Sequence, residues 1–195
     1  MTTRAVTLVA RTSAVEETKT LAGALAVLAE PGDLIVLAGD LGAGKTAFVQ
    51  GFGRGLGVTE PITSPTFTLA QQYEGRLLVH HLDVYRLDQL GEVAELGLGE
   101  LLDDGGVVLI EWGDAILPIL PNDYLEVRLM YPPVGDDEGS SGDDDRRIVL
   151  HAVGPAWGRR QVSLLHAIAP WAEAPKGSPA GQPGDRPVEG GGAPC

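Results

Sequence analysis

The segment Asp33–Phe48, DLIVLAGDLGAGKTAF, decides how the rest of the chain is read. Its centre, Gly39-Asp40-Leu41-Gly42-Ala43-Gly44-Lys45-Thr46, fits G-x-x-x-x-G-K-[ST], the pattern of a phosphate-binding P-loop. Leu34 to Ala38 carries no charge and reads as a buried parallel strand. The residues from Thr46 onward read as a helix. Backbone N–H groups of such a loop and of the first helical turn converge on one concavity with fixed partial positive charge. Glycines let the main chain come close to phosphate oxygens without an intervening Cβ. Lys45 is expected to reach the β- and γ-phosphates, and the Thr46 hydroxyl to ligate Mg²⁺. The competing reading is a chance glycine-rich turn between strand and helix.

Upstream, Val6 to Ala10 is an apolar run with strand character. Ser13-Ala14-Val15-Glu16 has the S-x-x-E form of a capping box, with Ser13 as N-cap and Glu16 at N3. The helix it opens is expected to run to about Ala29, with Leu21, Ala24, Leu25 and Leu28 on one face. Pro31-Gly32 then turns the chain into the P-loop strand. Ser13 either only starts the helix or also lies against a nucleotide base.

Downstream, Gly51 to Gly57 reads as a flexible passage, followed by a proline-flanked loop, Glu60 to Phe67, that presents Thr63, Ser64 and Thr66. This loop is either a solvated turn before a strand at Phe67–Ala70 or a switch segment sensing the γ-phosphate. In Arg76–Leu87, RLLVHHLDVYRL, strand geometry sets Leu82 and Val84 on one side and His81, Asp83 and Tyr85 on the other. The two histidines lack the cysteine or H-x₃-H partners of a zinc site, so packing or hydrogen bonding at the strand end is expected of His81. Asp88 to Leu102 reads as a broken, acidic surface helix.

Val107–Ile110 is a second continuous apolar strand and ends in Glu111-Trp112-Gly113-Asp114. Asp83 and Glu111 each close an apolar strand, as a Walker-B acid does, and compete for the metal role. Trp112 is either core or a flat face beside the site. Tyr124–Met130 and Arg147–Ala152 read as a hairpin, with the acidic stretch 136–145 as its tip rather than as a calcium loop. Arg146 and Arg147 either reach back to phosphates or pair with the adjacent acids. Trp157–Ala169 reads as a last helix, and the Pro- and Gly-rich chain from Pro170 as disordered.

Composition narrows the function classes. With 14 basic against 27 acidic residues the formal charge is −13, which excludes a general basic surface for nucleic acid. Lysine occurs only at Lys19, Lys45 and Lys176, so its presence inside the loop carries weight. The single cysteine, Cys195, rules out an intrachain disulfide. No apolar run approaches the roughly 20 residues of a membrane span, and the N-terminus lacks signal-peptide order. A cytoplasmic location is expected.

GDLGAGKT, SPTF, HHLDVYRL and LIEWGD, in this order, resemble the TsaE (YjeE) family over about Val6 to Gly154. The resemblance implies a P-loop NTPase α/β domain over 1–154, with a mixed, mostly parallel sheet flanked by helices and a C-terminal β-hairpin. A helix over 155–170 and a tail over 171–195 would follow. It implies a slow, Mg²⁺-dependent ATP hydrolase of bacterial cytoplasm, needed for the threonylcarbamoyl-adenosine modification of tRNA position 37. Such an ATPase works on the TsaD–TsaB complex and does not itself transfer the threonylcarbamoyl group. By resemblance, Gly39, Asp40, Leu41, Gly42, Ala43, Gly44, Lys45, Thr46 and Ala47 hold ATP, and Ser13 lies near adenine. Arg146 falls near a nucleotide-contacting arginine. Thr46 and Glu111 would hold Mg²⁺, Asp83 is the other essential carboxylate, Thr66 lies in the switch-like loop, and Trp112 stands beside the site. Two other classes are weighed against this. A small-molecule kinase should carry arginines in a lid, yet Gln71–Leu120 holds only Arg76 and Arg86. A nucleotide-dependent scaffold is separated from an ATPase only by measuring phosphate release.

Overall fold

A computed structural model describes residues 6–65, 68–85, 97–132 and 142–173. Among the described residues, seven strands form one sheet: β1 (Val6–Thr12), β2 (Leu34–Ala38), β3 (Ala70–Tyr73), β4 (Val79–Asp83), β5 (Val107–Glu111), β6 (Tyr124–Met130) and β7 (Arg146–Val153). Their spatial order is β1-β7-β6-β2-β5-β4-β3. β2 pairs parallel with both β5 and β6, and β5 parallel with β4. β7 runs against β6 and β1, and β3 against β4. Five strands therefore share one direction and β3 and β7 oppose it, giving the mixed, mostly parallel P-loop sheet.

β2 is buried along its whole length because both of its faces are covered. Ile35 and Leu37 join the larger core with Leu21, Leu25, Phe48 and Phe52. Leu34 and Val36 face a smaller core with Val108, Ile110, Ile116 and Leu120. The period-two alternation of the strand divides these residues between the two sides. β6 alternates buried and half-buried positions, so Leu125, Val127 and Leu129 point into the larger core. Its hairpin with β7 forms as expected and extends the sheet beyond β2.

Helix α1 (Val15–Ala26) packs on α2 (Lys45–Gly55). The glycine-rich passage expected to be flexible is helical as far as Gly55. A Cβ at Gly51 would lie 2.2 Å from the Lys19 carbonyl oxygen, and one at Gly55 2.7 Å from that of Gly23. Close contact between the helices selects glycine here and offsets its conformational cost. The capping box also needs correction. Ala14 is the N-cap, and the Ser13 backbone N–H and hydroxyl donate to Glu17 Oε2 at 2.8 and 3.0 Å. Glu16 turns instead to Lys19, at 2.7 Å. The helix stops at Ala26, short of the expected Ala29.

β3 lies at Ala70–Tyr73 rather than Phe67–Ala70, because its register is set by pairing with Leu82–Val79 of β4. Of the broken acidic helix, the described part is α3 (Leu98–Asp103); its portion over 88–96 lies outside the described residues. The expected last helix is split into α4 (Gly154–Arg159) and α5 (Gln161–Ile168). Arg160 breaks it: its guanidinium donates to both Asp33 oxygens at 2.6 Å and to the Leu28 carbonyl at 2.9 Å, and it stacks over Trp157. Trp157, Leu164 and Ile168 join the larger core, the same one that α1 enters. Beyond α5, Ala172 bridges to Ala10 and Glu173 pairs with Arg11 and Arg147. Among the described residues, Arg147 thus meets a distant acid rather than the neighbouring aspartates. The tail expected over 171–195 lies outside the described residues from position 174 on, as does most of the acidic hairpin tip. Among the described residues, no helix is long and apolar enough to cross a membrane.

Candidate active site

The site forms where β2, β4 and β5 end together. β2 stops at Ala38 and the chain crosses a loop with positive φ at Gly39, Gly42 and Gly44 before entering α2. At Gly39 the fit to β6 is so close that a Cβ would stand 2.1 Å from the Leu129 carbonyl oxygen. Lys45 opens α2, is only 5% exposed, and donates from Nζ to the Gly39 and Asp40 carbonyls at 2.8 and 2.9 Å. The same ammonium lies 3.4 Å from the ring centroid of Trp112, a cation–π contact. Burial lowers the Lys45 pKa from its usual 10.5, and the negative charges of Glu111, Asp114, Asp83 and Asp40 oppose that shift.

Parallel pairing sets Asp83 directly beside Glu111. Both are buried, and each has partners of its own. The Thr46 hydroxyl donates to Glu111 Oε1 at 2.9 Å and lies 3.1 Å from Oε2. His81 Nε2 sits 2.9 Å from Glu111 Oε1. Asp83 Oδ2 accepts from the Ser64 hydroxyl at 2.8 Å and Oδ1 from the Tyr85 backbone N–H at 3.0 Å. Trp112 follows Glu111 with φ of 62°, a left-handed conformation that turns its ring over Lys45 and against Tyr85. All of these groups except His81, which is buried behind Glu111, line a cleft of about 390 Å³.

On the other side of the loop is a recess of about 50 Å³ formed by Val15, Thr18, Gly42, Ala43, Gly44, Ala47, Asp144 and Arg146. Arg146 is buried there. It donates to the Ala43 and Gly42 carbonyls at 3.0 and 3.2 Å, and to those of Asp143 and Asp145 at 2.7 and 2.8 Å. Its guanidinium also stacks on Tyr131. Among the described residues, backbone carbonyls rather than the adjacent carboxylates take this side chain. A third groove, behind α2 and lined by Gln50, Arg54 and Val58–Ile62, holds none of the predicted residues.

The family described as "Threonylcarbamoyl adenosine biosynthesis protein TsaE" matches residues 12–135. Over 145 residues the chain is 43% identical to the tRNA threonylcarbamoyladenosine biosynthesis protein TsaE of Bacillus subtilis, spanning 74% of this chain and 85% of that one. This chain belongs to the TsaE family. A Streptomyces coelicolor TsaE is 38% identical over 146 residues, 72% of this chain and 94% of its own. The crystal structure of Bacillus subtilis YdiB superposes with a TM-score of 0.66 at 37% identity, covering 85% of this chain and 96% of that chain.

Within this TsaE chain, the predicted residues do not all come together in one place. Leu41, Gly42, Gly44, Lys45, Thr46, Ala47, Asp83, Glu111 and Trp112 line one cleft. Gly39 and Asp40 hold Lys45 through their carbonyls, while Ala43 and Arg146 belong to the recess. Ser13 stands exposed at the start of α1, its polar groups taken by Glu17, and Val15 and Thr18 reach the recess instead. Thr66 lies outside the described residues. Ser64, one of the hydroxyls of the proline-flanked loop, lines the cleft, and so does Tyr85, to which no site role was assigned. Strand alternation already put Tyr85 on the same side as Asp83. Tyr131 behind Arg146 had no signal at all in the sequence.

Proposed function

We propose that this chain is a slow, Mg²⁺-dependent cytoplasmic ATPase of tRNA threonylcarbamoyladenosine biosynthesis. In this reading it acts on a TsaD–TsaB complex and does not transfer the threonylcarbamoyl group. The observation that carries the proposal is the junction of Thr46 and Glu111 at 2.9 Å, beside a P-loop lysine, in a cleft that Asp83 also enters. A hydroxyl and two carboxylates are hard oxygen donors, the set that Mg²⁺ takes while keeping several waters. The donor set therefore fits: Thr46 and Glu111 would hold the ion, with Asp83 next to them. When bound, Mg²⁺ neutralises charge on the phosphate oxygens.

The chain's own groups supply the rest. Loop amides from Gly42 to Thr46 and the Lys45 ammonium bind phosphate oxygens and stabilise charge on the γ-phosphoryl as water attacks. To do so Lys45 must leave the Gly39 and Asp40 carbonyls, an exchange of neutral acceptors for stronger anionic ones. Asp83, anchored through both oxygens, is fixed well enough to orient a water molecule. Trp112 and Tyr85, ring against ring, form one wall of the cleft. Supporting the biosynthetic role, the chain matches proteins named for that pathway along most of their length. A formal charge of −13 fits action on protein partners rather than a direct grip on tRNA.

Phosphate release, measured with and without TsaD and TsaB homologues, tests the reading. Lys45→Ala should weaken nucleotide binding about a hundredfold or more, the loss of charge-assisted hydrogen bonds to phosphate. Tight binding with no phosphate release under either condition would replace the ATPase by a nucleotide-dependent scaffold.

A further inference from the structure

His81 is wholly buried on β4 and spends its one hydrogen bond on Glu111. A carboxylate offers only lone pairs, so the imidazole donates from Nε2–H to Oε1. Nδ1, on the far side of the ring, is buried without a hydrogen-bond partner among the described residues. A leucine or phenylalanine would fill this volume without a bare nitrogen, so filling space does not account for histidine here. The Nε2 contact does. β4 and β5 pair His81 with Leu109 and Asp83 with Glu111, so the ring reaches one pleat forward to the acid at the cleft.

The second constraint on Glu111 is the Thr46 hydroxyl, at 2.9 and 3.1 Å from its two oxygens. The terminal torsion of a glutamate is broad and two-fold, so one hydroxyl leaves the carboxylate plane free to turn. An imidazole N–H on Oε1 closes that freedom. We infer that His81 is a positioning residue, whose Nε2–H holds Glu111 Oε1 so that Thr46 and Glu111 together are pre-set for a divalent cation. The inference rests on the nucleotide-binding reading above. An outer hydrogen bond of this kind, where it orients a metal-binding group, is commonly worth 10–100-fold in affinity or activity.

Binding, not turnover, provides the test. The full chain and its variants are titrated with ATP by calorimetry, once in EDTA and once across a series of Mg²⁺ concentrations. His81→Leu is expected to match the wild type in EDTA, while the Mg²⁺ needed to tighten binding rises by roughly 10–100-fold. His81→Gln, whose amide N–H reaches the Nε2 position, should restore most of the Mg²⁺ dependence. His81→Asn is too short to do so. A folded His81→Leu with wild-type Mg²⁺ dependence overturns the inference. Should His81→Leu fail to fold in a thermal melt, the Gln and Asn variants decide alone, and equal Mg²⁺ dependence in the two overturns it. A wild-type chain that binds no ATP sinks the functional reading and this inference with it. Mg²⁺-tightened binding that is indifferent to His81 sinks only the inference.

Discussion

Asp83 and Glu111 sit side by side at the ends of β4 and β5, yet they live in different company. Glu111 is tied to the phosphate-loop helix through Thr46 and to its own sheet through His81. Asp83 is tied to the loop after α2 through Ser64, and to the chain leaving β4 through the Tyr85 amide. One acid is coupled to the P-loop helix and the other to the proline-flanked loop that follows α2. Two carboxylates with the same local sequence signal are thus given different partners by what packs against them. Burial alone does not distinguish them, since both are about 3% exposed.

The sharpest way to break this comparison is to remove each acid in turn. Glu111→Ala should keep some ATP binding and lose roughly 10³-fold in steady-state phosphate release, the scale of a lost acid–base or charge-stabilising group. Equal turnover in wild type and Glu111→Ala would transfer the metal role to Asp83. Asp83→Asn keeps the Ser64 hydroxyl contact and should cost less, about 10–100-fold, mainly in kcat with little change in KM.

Lys45 reports on the same pair through pH. Burial lowers its pKa, and Glu111 outranks Asp83 among the charges that hold it up. The folded protein therefore binds this proton less tightly than the unfolded chain. Lys45 costs stability while charged, and the cost vanishes as pH rises past the lowered value towards 10.5. Nucleotide affinity should decline on the alkaline side before an ordinary lysine would titrate. Glu111→Gln should move that decline to lower pH by more than Asp83→Asn does, as binding titrations across pH would register.

Smaller effects sharpen the picture. Ser64→Ala removes one hydrogen bond to Asp83 and should slow hydrolysis by a few-fold, about 1 kcal/mol, while leaving the EDTA-state affinity for ATP unchanged. Deleting residues 174–195 should leave phosphate release and thermal midpoint unchanged. The cut is placed after Glu173 because Arg11 and Arg147 pair with it. A truncation before Trp171 would also remove an indole packed on the larger core.

Much of this was legible in the sequence. The loop declared itself through residue types that phosphate binding requires, and β2 and β5 through runs without charge that only double-sided burial accommodates. Strand alternation by itself puts His81, Asp83 and Tyr85 on one side. Other elements were misread for identifiable reasons. Gly51–Gly55 looked flexible because glycine lacks helical propensity in isolation, whereas α1 lies so close that nothing larger fits. Glu17, not Glu16, reaches Ser13, since the helix begins one residue later than the S-x-x-E pattern implies. The last helix broke at Arg160 because a distant aspartate, Asp33, outbid one more helical turn.

By itself the sequence determined that the chain would carry a glycine-rich P-loop between a buried strand and a helix. Those choices are local: glycine, lysine and threonine at fixed spacing follow from backbone reach and charge within a few residues. Only the tertiary structure decided which acid meets Thr46, what Arg146 grips and where His81 points. Each of those contacts joins positions tens of residues apart, and strand register and helix packing, which no short stretch encodes, bring them within hydrogen-bond distance.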